Sequence, residues 1–223
     1  MRIRKVTIPT SDIAASVSFF RDVLDLEVDR STVSLGWSQI EFISGNDLEN
    51  GGLHLAFNVA YRQFDQATDW LRQRTALQQD SYGNDSFALG GYWQSKSIYF
   101  EGPDGSILEL IGRHRLGGSS STAPFNGSDL ICVSEIGLPT DNLDSLVAES
   151  ARVLGIAALA PPSNEFAAIG DDNGLFIGVA GNRPWFPENR QNPKAQGVTV
   201  IVDGVISGGM IESRPYGWRV VAL

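Results

Sequence analysis

Short alternating segments followed by amphipathic ones recur along the 223 residues. The first such unit reads KVTIPTSDIAASVSFFRDVLDL, the second HLAFNVAYRQFDQATDWLRQRTAL and the third EIGLPTDNLDSLVAESARVLGI. Strand alternation puts Lys5, Thr7 and Pro9 on one face and Val6 and Ile8 on the other. Helical spacing follows, with Ile13, Val17, Phe20 and Leu24 on one stripe behind an Asp12 N-cap. Phe64, Ala67, Trp70 and Leu71 repeat the pattern, and so do Leu143, Leu146, Val147 and Leu154 behind Asn142. Further strands follow each helix. Gly102-Pro103-Asp104-Gly105 and Asn173-Gly174 predict hairpins between apolar runs. Each unit is therefore βαβββ or close to it. A fourth opens at Val198 with VTVIVDG but has no convincing helix after it.

Composition narrows the class. With 42% hydrophobic and 19% charged residues, the chain can bury a real core. A net charge of -9 and no basic stripe argue against nucleic acid as a partner. No apolar run approaches the roughly 18 residues of a membrane span, and the N-terminus lacks a signal-type apolar core. A cytoplasmic soluble protein is expected, with no membrane partner and a homodimer left open. The single cysteine, Cys132, excludes an internal disulfide and a thiolate cluster. It is expected to be buried as a small apolar side chain. With two histidines, His54 and His114, a metal site would have to lean on carboxylates.

Strand parity singles out a few polar positions. His54, Ala56 and Asn58 share a face, as do Trp37, Gln39, Glu41 and Ile43, and Ile107, Glu109, Ile111 and Arg113. Glu41 and Glu109 each stand mid-strand among apolar residues, where a carboxylate is costly without a partner. One histidine and two glutamates at matched positions suggest a shared concave metal site.

The motifs VTIPTSDIAASVSFFRDVLDLEV, HLAFNV and YFEGPDGSILELIGR resemble the vicinal oxygen chelate superfamily. That group includes glyoxalase I, extradiol dioxygenases, and fosfomycin- and bleomycin-resistance proteins. The resemblance implies an α+β fold of repeated βαβββ units, forming paired cup-shaped mixed sheets with helices on the outer faces. It implies that residues 1–115 form one cup from two units and carry the site. Residues 116–128 would be a linker and 129–223 a degenerate second half. Carried over by position, the ligand places are Lys5, Glu41, His54 and Glu109. Lys5 departs from the family's usual His or Gln, and an ammonium has no lone pair to offer.

Two readings follow. In one, Glu41, His54 and Glu109 hold Fe, Mn, Ni or Zn for a glyoxalase- or dioxygenase-like enzyme on an oxygen-rich molecule, with Glu41 also a proton shuttle. In the other, the Lys5 ammonium pairs with the glutamates and the cup binds or sequesters its ligand without a metal. Lys5, Thr7, Trp37, Gln39, Asn58 and Arg113 are the candidate substrate contacts, with Arg113 an anion clamp or a salt-bridge partner. Glu135 matches His54 in position, and Gly197 is taken as its counterpart in the fourth unit. Since LFIGVA supplies no acid, Glu135 is read as a lone carboxylate outside the site. Residues 78–96, with Tyr82, Phe87, Tyr92 and Trp93, form either a lid or a packed surface loop. Trp185 is a pocket-edge residue or a structural plug, and His114 is given no role.

Overall fold

In the computed structural model, residues 1–45, 48, 51–118, 123–195 and 197–223 are described. The fold is α+β, with two mixed seven-stranded sheets, one curled into a half-barrel, and three helices. The first unit runs β1 (Arg2–Thr10), α1 (Ile13–Asp22), β2 (Glu27–Asp29), β3 (Thr32–Leu35) and β4 (Ser38–Ser44). The second runs β5 (His54–Val59), α2 (Phe64–Arg72), β6 (Phe87–Leu89), β7 (Ser95–Glu101) and β8 (Ile107–Arg113). The third comprises β9 (Cys132–Thr140), α3 (Leu143–Glu149), β10 (Phe166–Asp171) and β11 (Gly174–Ala180). The last holds β12 (Thr199–Asp203), β13 (Met210–Ser213) and β14 (Trp218–Ala222), with no helix.

The predicted local signals are present. Asp12 accepts a hydrogen bond from the Ala15 amide at 2.9 Å, and Asn142 accepts one from Ser145 at the same distance. The third helix stops being α-helical at Glu149 and continues to Leu154 as a π-helical turn. At the Gly-Pro-Asp-Gly turn, Gly105 has φ 65° and so takes the left-handed conformation that glycine allows. Of the linker segment, residues 119–122 lie outside the described residues. Among the described residues, no helix is long and apolar enough to cross a membrane.

Sheet partnering departs from sequence order. Sheet one runs β13-β14-β12-β1-β4-β3-β2 and sheet two runs β10-β11-β9-β5-β8-β7-β6. The first unit thus pairs with the fourth, and the second with the third. The expected cup built from the first two units does not form. In its place, β1 runs antiparallel to β12, and β5 antiparallel to β9.

The larger core lies on the helix-bearing sides of both sheets and joins them. It takes Val6, Ile8 and Ile40 from sheet one and Leu55, Phe57, Ile136 and Leu138 from sheet two. Phe20 of α1 meets Phe42 at 5.5 Å and Phe57 edge-on at 6.2 Å, so one ring touches both sheets. A smaller apolar cluster, including Ile107, Ile177 and Trp185, lines the opposite face of sheet two. Removing the central ring should be costly: Phe20→Ala is expected to destabilise the protein by about 3–5 kcal/mol in urea unfolding. A loss below about 1 kcal/mol would mean that this ring does not tie the sheets together.

Candidate metal centre and cavity

Register aligns the four units position by position. In each, a first-strand residue lies opposite the residue two before the last-strand position of interest: Lys5 opposite Gln39, His54 opposite Ile107, Glu135 opposite Leu175 and Thr199 opposite Arg219. The matched last-strand residues are Glu41, Glu109, Ile177 and Val221. Sheet one therefore presents Lys5, Glu41, Thr199 and Val221, while sheet two presents His54, Glu109, Glu135 and Ile177. Thr199, not Gly197, is the counterpart in the last unit, since Gly197 precedes β12.

Sheet two brings His54, Glu109 and Glu135 together. All three are buried, and their ligand atoms lie within 4.8 Å of one another. His54 Nε2 is 3.5 Å from a Glu109 oxygen and 3.6 Å from a Glu135 oxygen. Glu41 does not share this cup. It stands on β4 of sheet one, where it is half-buried, pairs with Lys5 Nζ at 3.0 Å and accepts a hydrogen bond from Thr7 at 3.2 Å. The expected convergence of Glu41, His54 and Glu109 is replaced by one of His54, Glu109 and Glu135. Glu135, read from the sequence as a lone carboxylate, supplies the third donor. The signal was there in its matched first-strand position. It was lost by pairing the wrong units.

The remaining sequence candidates also sort by sheet. Lys5, Thr7 and Gln39 lie on sheet one, and Trp37 lies beside Arg2, whose guanidinium sits 5.1 Å from the ring centre. Asn58 is on β5 but donates to the Asp172 carbonyl at 2.9 Å. Arg113 is fully buried and donates to Glu135; its Nε and Nη1 have no hydrogen-bond partner. None of these six lines the cavity above sheet two. Cys132 is buried beside Asn58, and burial pushes its thiol up to about 12. His114 packs edge-on against Tyr61 at 5.1 Å, away from the cup.

That cavity has a volume of about 480 Å³, and His54, Glu109 and Glu135 are in its wall. Residues 78–96, expected as a loop, contain β6 and the start of β7; Phe87 and Trp93 line the cavity, whereas Tyr82 and Tyr92 are exposed. Trp185 is at once plug and pocket wall. Its ring lies 5.0 Å from that of His54, and its indole N–H donates to the Gly52 carbonyl at 2.8 Å. Gly137 makes room for it, because a Cβ there would come within 2.7 Å of the indole.

The charges are out of balance, which is the test of whether a cation fits. Two buried carboxylates face one buried guanidinium, and a neutral His54 leaves an excess negative charge. Burial and the Glu135 charge push the Glu109 carboxyl well above the ordinary carboxylate range. Burial opposes the charged form of His54, but the nearby Glu135 and Glu109 carboxylates outweigh it and raise the imidazole. The Nδ1 of His54 is buried without a hydrogen-bond partner. One imidazole and two carboxylates within reach of one point suit a divalent first-row ion.

Comparison with known proteins agrees with the repeated units. No family model matches the chain. Metallothiol transferase FosB of Staphylococcus saprophyticus is 27% identical over 118 residues, covering 48% of this chain and 74% of that protein. FosB of Staphylococcus epidermidis is 26% identical over the same length, covering 48% and 79%. The crystal structure of a putative dioxygenase from Bacillus subtilis aligns with TM-score 0.61 at 10% identity, over 100% of this chain and 85% of the other. Glyoxalase I from Zea mays aligns with TM-score 0.58 at 12% identity, over 99% and 91%. The sequence likeness to FosB over about half of the chain and the shared fold of the glyoxalase and dioxygenase structures agree with the resemblance to the vicinal oxygen chelate superfamily. The three buried donors of sheet two are consistent with a divalent metal site.

The raised carboxyl gives a pH dependence with a definite sign. Folded protein holds the Glu109 proton more tightly than the unfolded chain does. In metal-free protein Glu109 therefore favours folding at acid pH, and that contribution is lost as pH rises from the ordinary carboxylate range toward neutrality. Glu109→Gln should flatten this part of the profile, read as melting temperature in chelator between about pH 4 and pH 8. A variant profile that falls as steeply as that of the parent would place the titration elsewhere.

Proposed function

We propose that this protein is a metal-dependent enzyme acting on a small oxygen-rich molecule, of the lyase, isomerase or dioxygenase kind. The observation that carries this reading is the convergence of His54, Glu109 and Glu135 in the wall of a cavity. These three residues would hold Fe, Mn, Ni or Zn. When bound, such an ion supplies Lewis-acid stabilisation of neighbouring substrate oxygens.

The chain's own residues would do the rest. Arg113 holds Glu135 in place from behind through its buried hydrogen bond. Trp185 covers His54 and keeps water from that side of the cup. Burial, with the Glu109 and Glu135 charges, holds the Tyr99 phenol far above its ordinary value, so it faces the cavity as a hydrogen-bond donor. Glu41 has no part in this arrangement, because it lies on the other sheet with Lys5.

A second reading has its own support. A protonated His54 between Glu109 and Glu135, at 3.5 and 3.6 Å, also neutralises the cluster. The cup would then be a metal-free binding or sequestering site.

Metal analysis after identical purification separates the two. The parent should carry close to one equivalent of a divalent ion, and His54→Ala and Glu135→Gln should lose it; the glutamine can still accept the Arg113 hydrogen bond. Glu41→Ala and Lys5→Gln should keep the parent's metal content, since both lie on sheet one. A parent that remains metal-free after incubation with each of the four ions would overturn the enzyme reading and leave the binding one.

A further inference from the structure

The cavity is wider than the three donors need, and its remaining walls have a marked chemistry. Two groups of rings face it. Trp93 and Phe166 form one pair, with centres 6.0 Å apart. Phe87, Tyr99 and Phe186 form a mutually edge-on cluster, with centres 4.6 to 5.8 Å apart. Flat aromatic walls offer a planar ring more contact than a flexible chain could recover after paying its ordering cost. The volume of about 480 Å³ admits a molecule of one or two fused rings.

The same wall carries a cation, Arg183. Arg183 lines the cavity with its guanidinium 5.1 Å from the centre of the Phe166 ring. Among the described residues it has no carboxylate within ion-pair distance, whereas Arg113, Arg115 and Arg190 each have one. A guanidinium stacked on a ring keeps its in-plane N–H donors free for a planar anion. The other charged groups in the wall are His54, Glu109 and Glu135. An anionic group would be repelled by the two carboxylates, so Arg183 is where a ligand's negative charge can be received.

We infer that the cavity selects a planar aromatic anion, with its ring between the two aromatic walls and its anionic group on Arg183. The rest of the ligand shares the cavity with His54. The placement of its oxygens there rests on the enzyme reading above; the choice of ring and charge does not.

The test uses full-length protein treated with chelator, so that it stands independently of any metal. Calorimetric titration compares 2-naphthoate with 2-naphthalenemethanol, which lacks the charge, and with cyclohexanecarboxylate, which lacks the aromatic ring. The expected result is that 2-naphthoate binds at least about tenfold more tightly than either. Arg183→Gln, a half-exposed position, should bring 2-naphthoate down to the level of the alcohol without shifting the melting temperature. Phe166→Leu should weaken both naphthyl ligands and leave cyclohexanecarboxylate unchanged. Equal affinity for the three probes, no detectable binding of 2-naphthoate at millimolar concentration, or an unchanged preference in Arg183→Gln would each overturn the proposal. Protein that takes up no metal yet keeps the preference would lose the enzyme reading and retain this one.

Discussion

The antiparallel ladder between β5 and β9 is the contact on which the candidate site depends. Its backbone hydrogen bonds set Ala56 opposite Glu135 and Leu55 opposite Ile136. On the other side of β5, the parallel ladder with β8 sets Ala56 opposite Glu109. Glu109 and Glu135 thus flank the same residue of one central strand, and His54 lies two residues along on the same face. A shift of one residue in either ladder would turn a carboxylate toward the helix-bearing core, where it would find no partner. Sheet register is therefore also the register of the chemistry.

Burying these groups is expensive, and the surroundings offset the cost in specific ways. Arg113 has no exposed surface and hydrogen-bonds Glu135, but it cannot neutralise Glu109 as well. The remaining charge is relieved by a shared proton or by a cation. Both solutions draw on the same desolvated geometry, which is why the raised Glu109 carboxyl and the metal-like donor set are two aspects of one arrangement. Trp185, seated over Gly137 and tied to Gly52, keeps bulk water from screening it.

The two sheets show what one plan becomes under different residues. On sheet one the equivalent positions hold Lys5, Glu41, Thr199 and Val221, and the lysine forms an ion pair with the acid in partial contact with solvent. Such a pair contributes little to stability and offers a metal one carboxylate. Sheet two keeps three donors and gains a roof from the segments around Phe87 and Trp185. The fold is repeated, but the chemistry is concentrated in one copy.

Local signals in the sequence determined the repeated units. Strand alternation, the Asp12 and Asn142 caps, the apolar stripes of the helices and the turn at Gly105 are all short-range features that neighbouring residues enforce. The same parity marked His54 and Glu109 as facing away from the core. Which unit pairs with which is decided by contacts between residues far apart in the chain, such as Leu55 with Ile136 and Val6 with Val200. No local pattern specifies that choice, because each first strand has similar alternation and could pair with any other. Tertiary structure alone therefore separated Glu41 from His54, brought Glu135 to the cup and buried Arg113 behind it. It also folded Trp185 and Arg183, over a hundred residues from His54, onto the cavity that His54 lines.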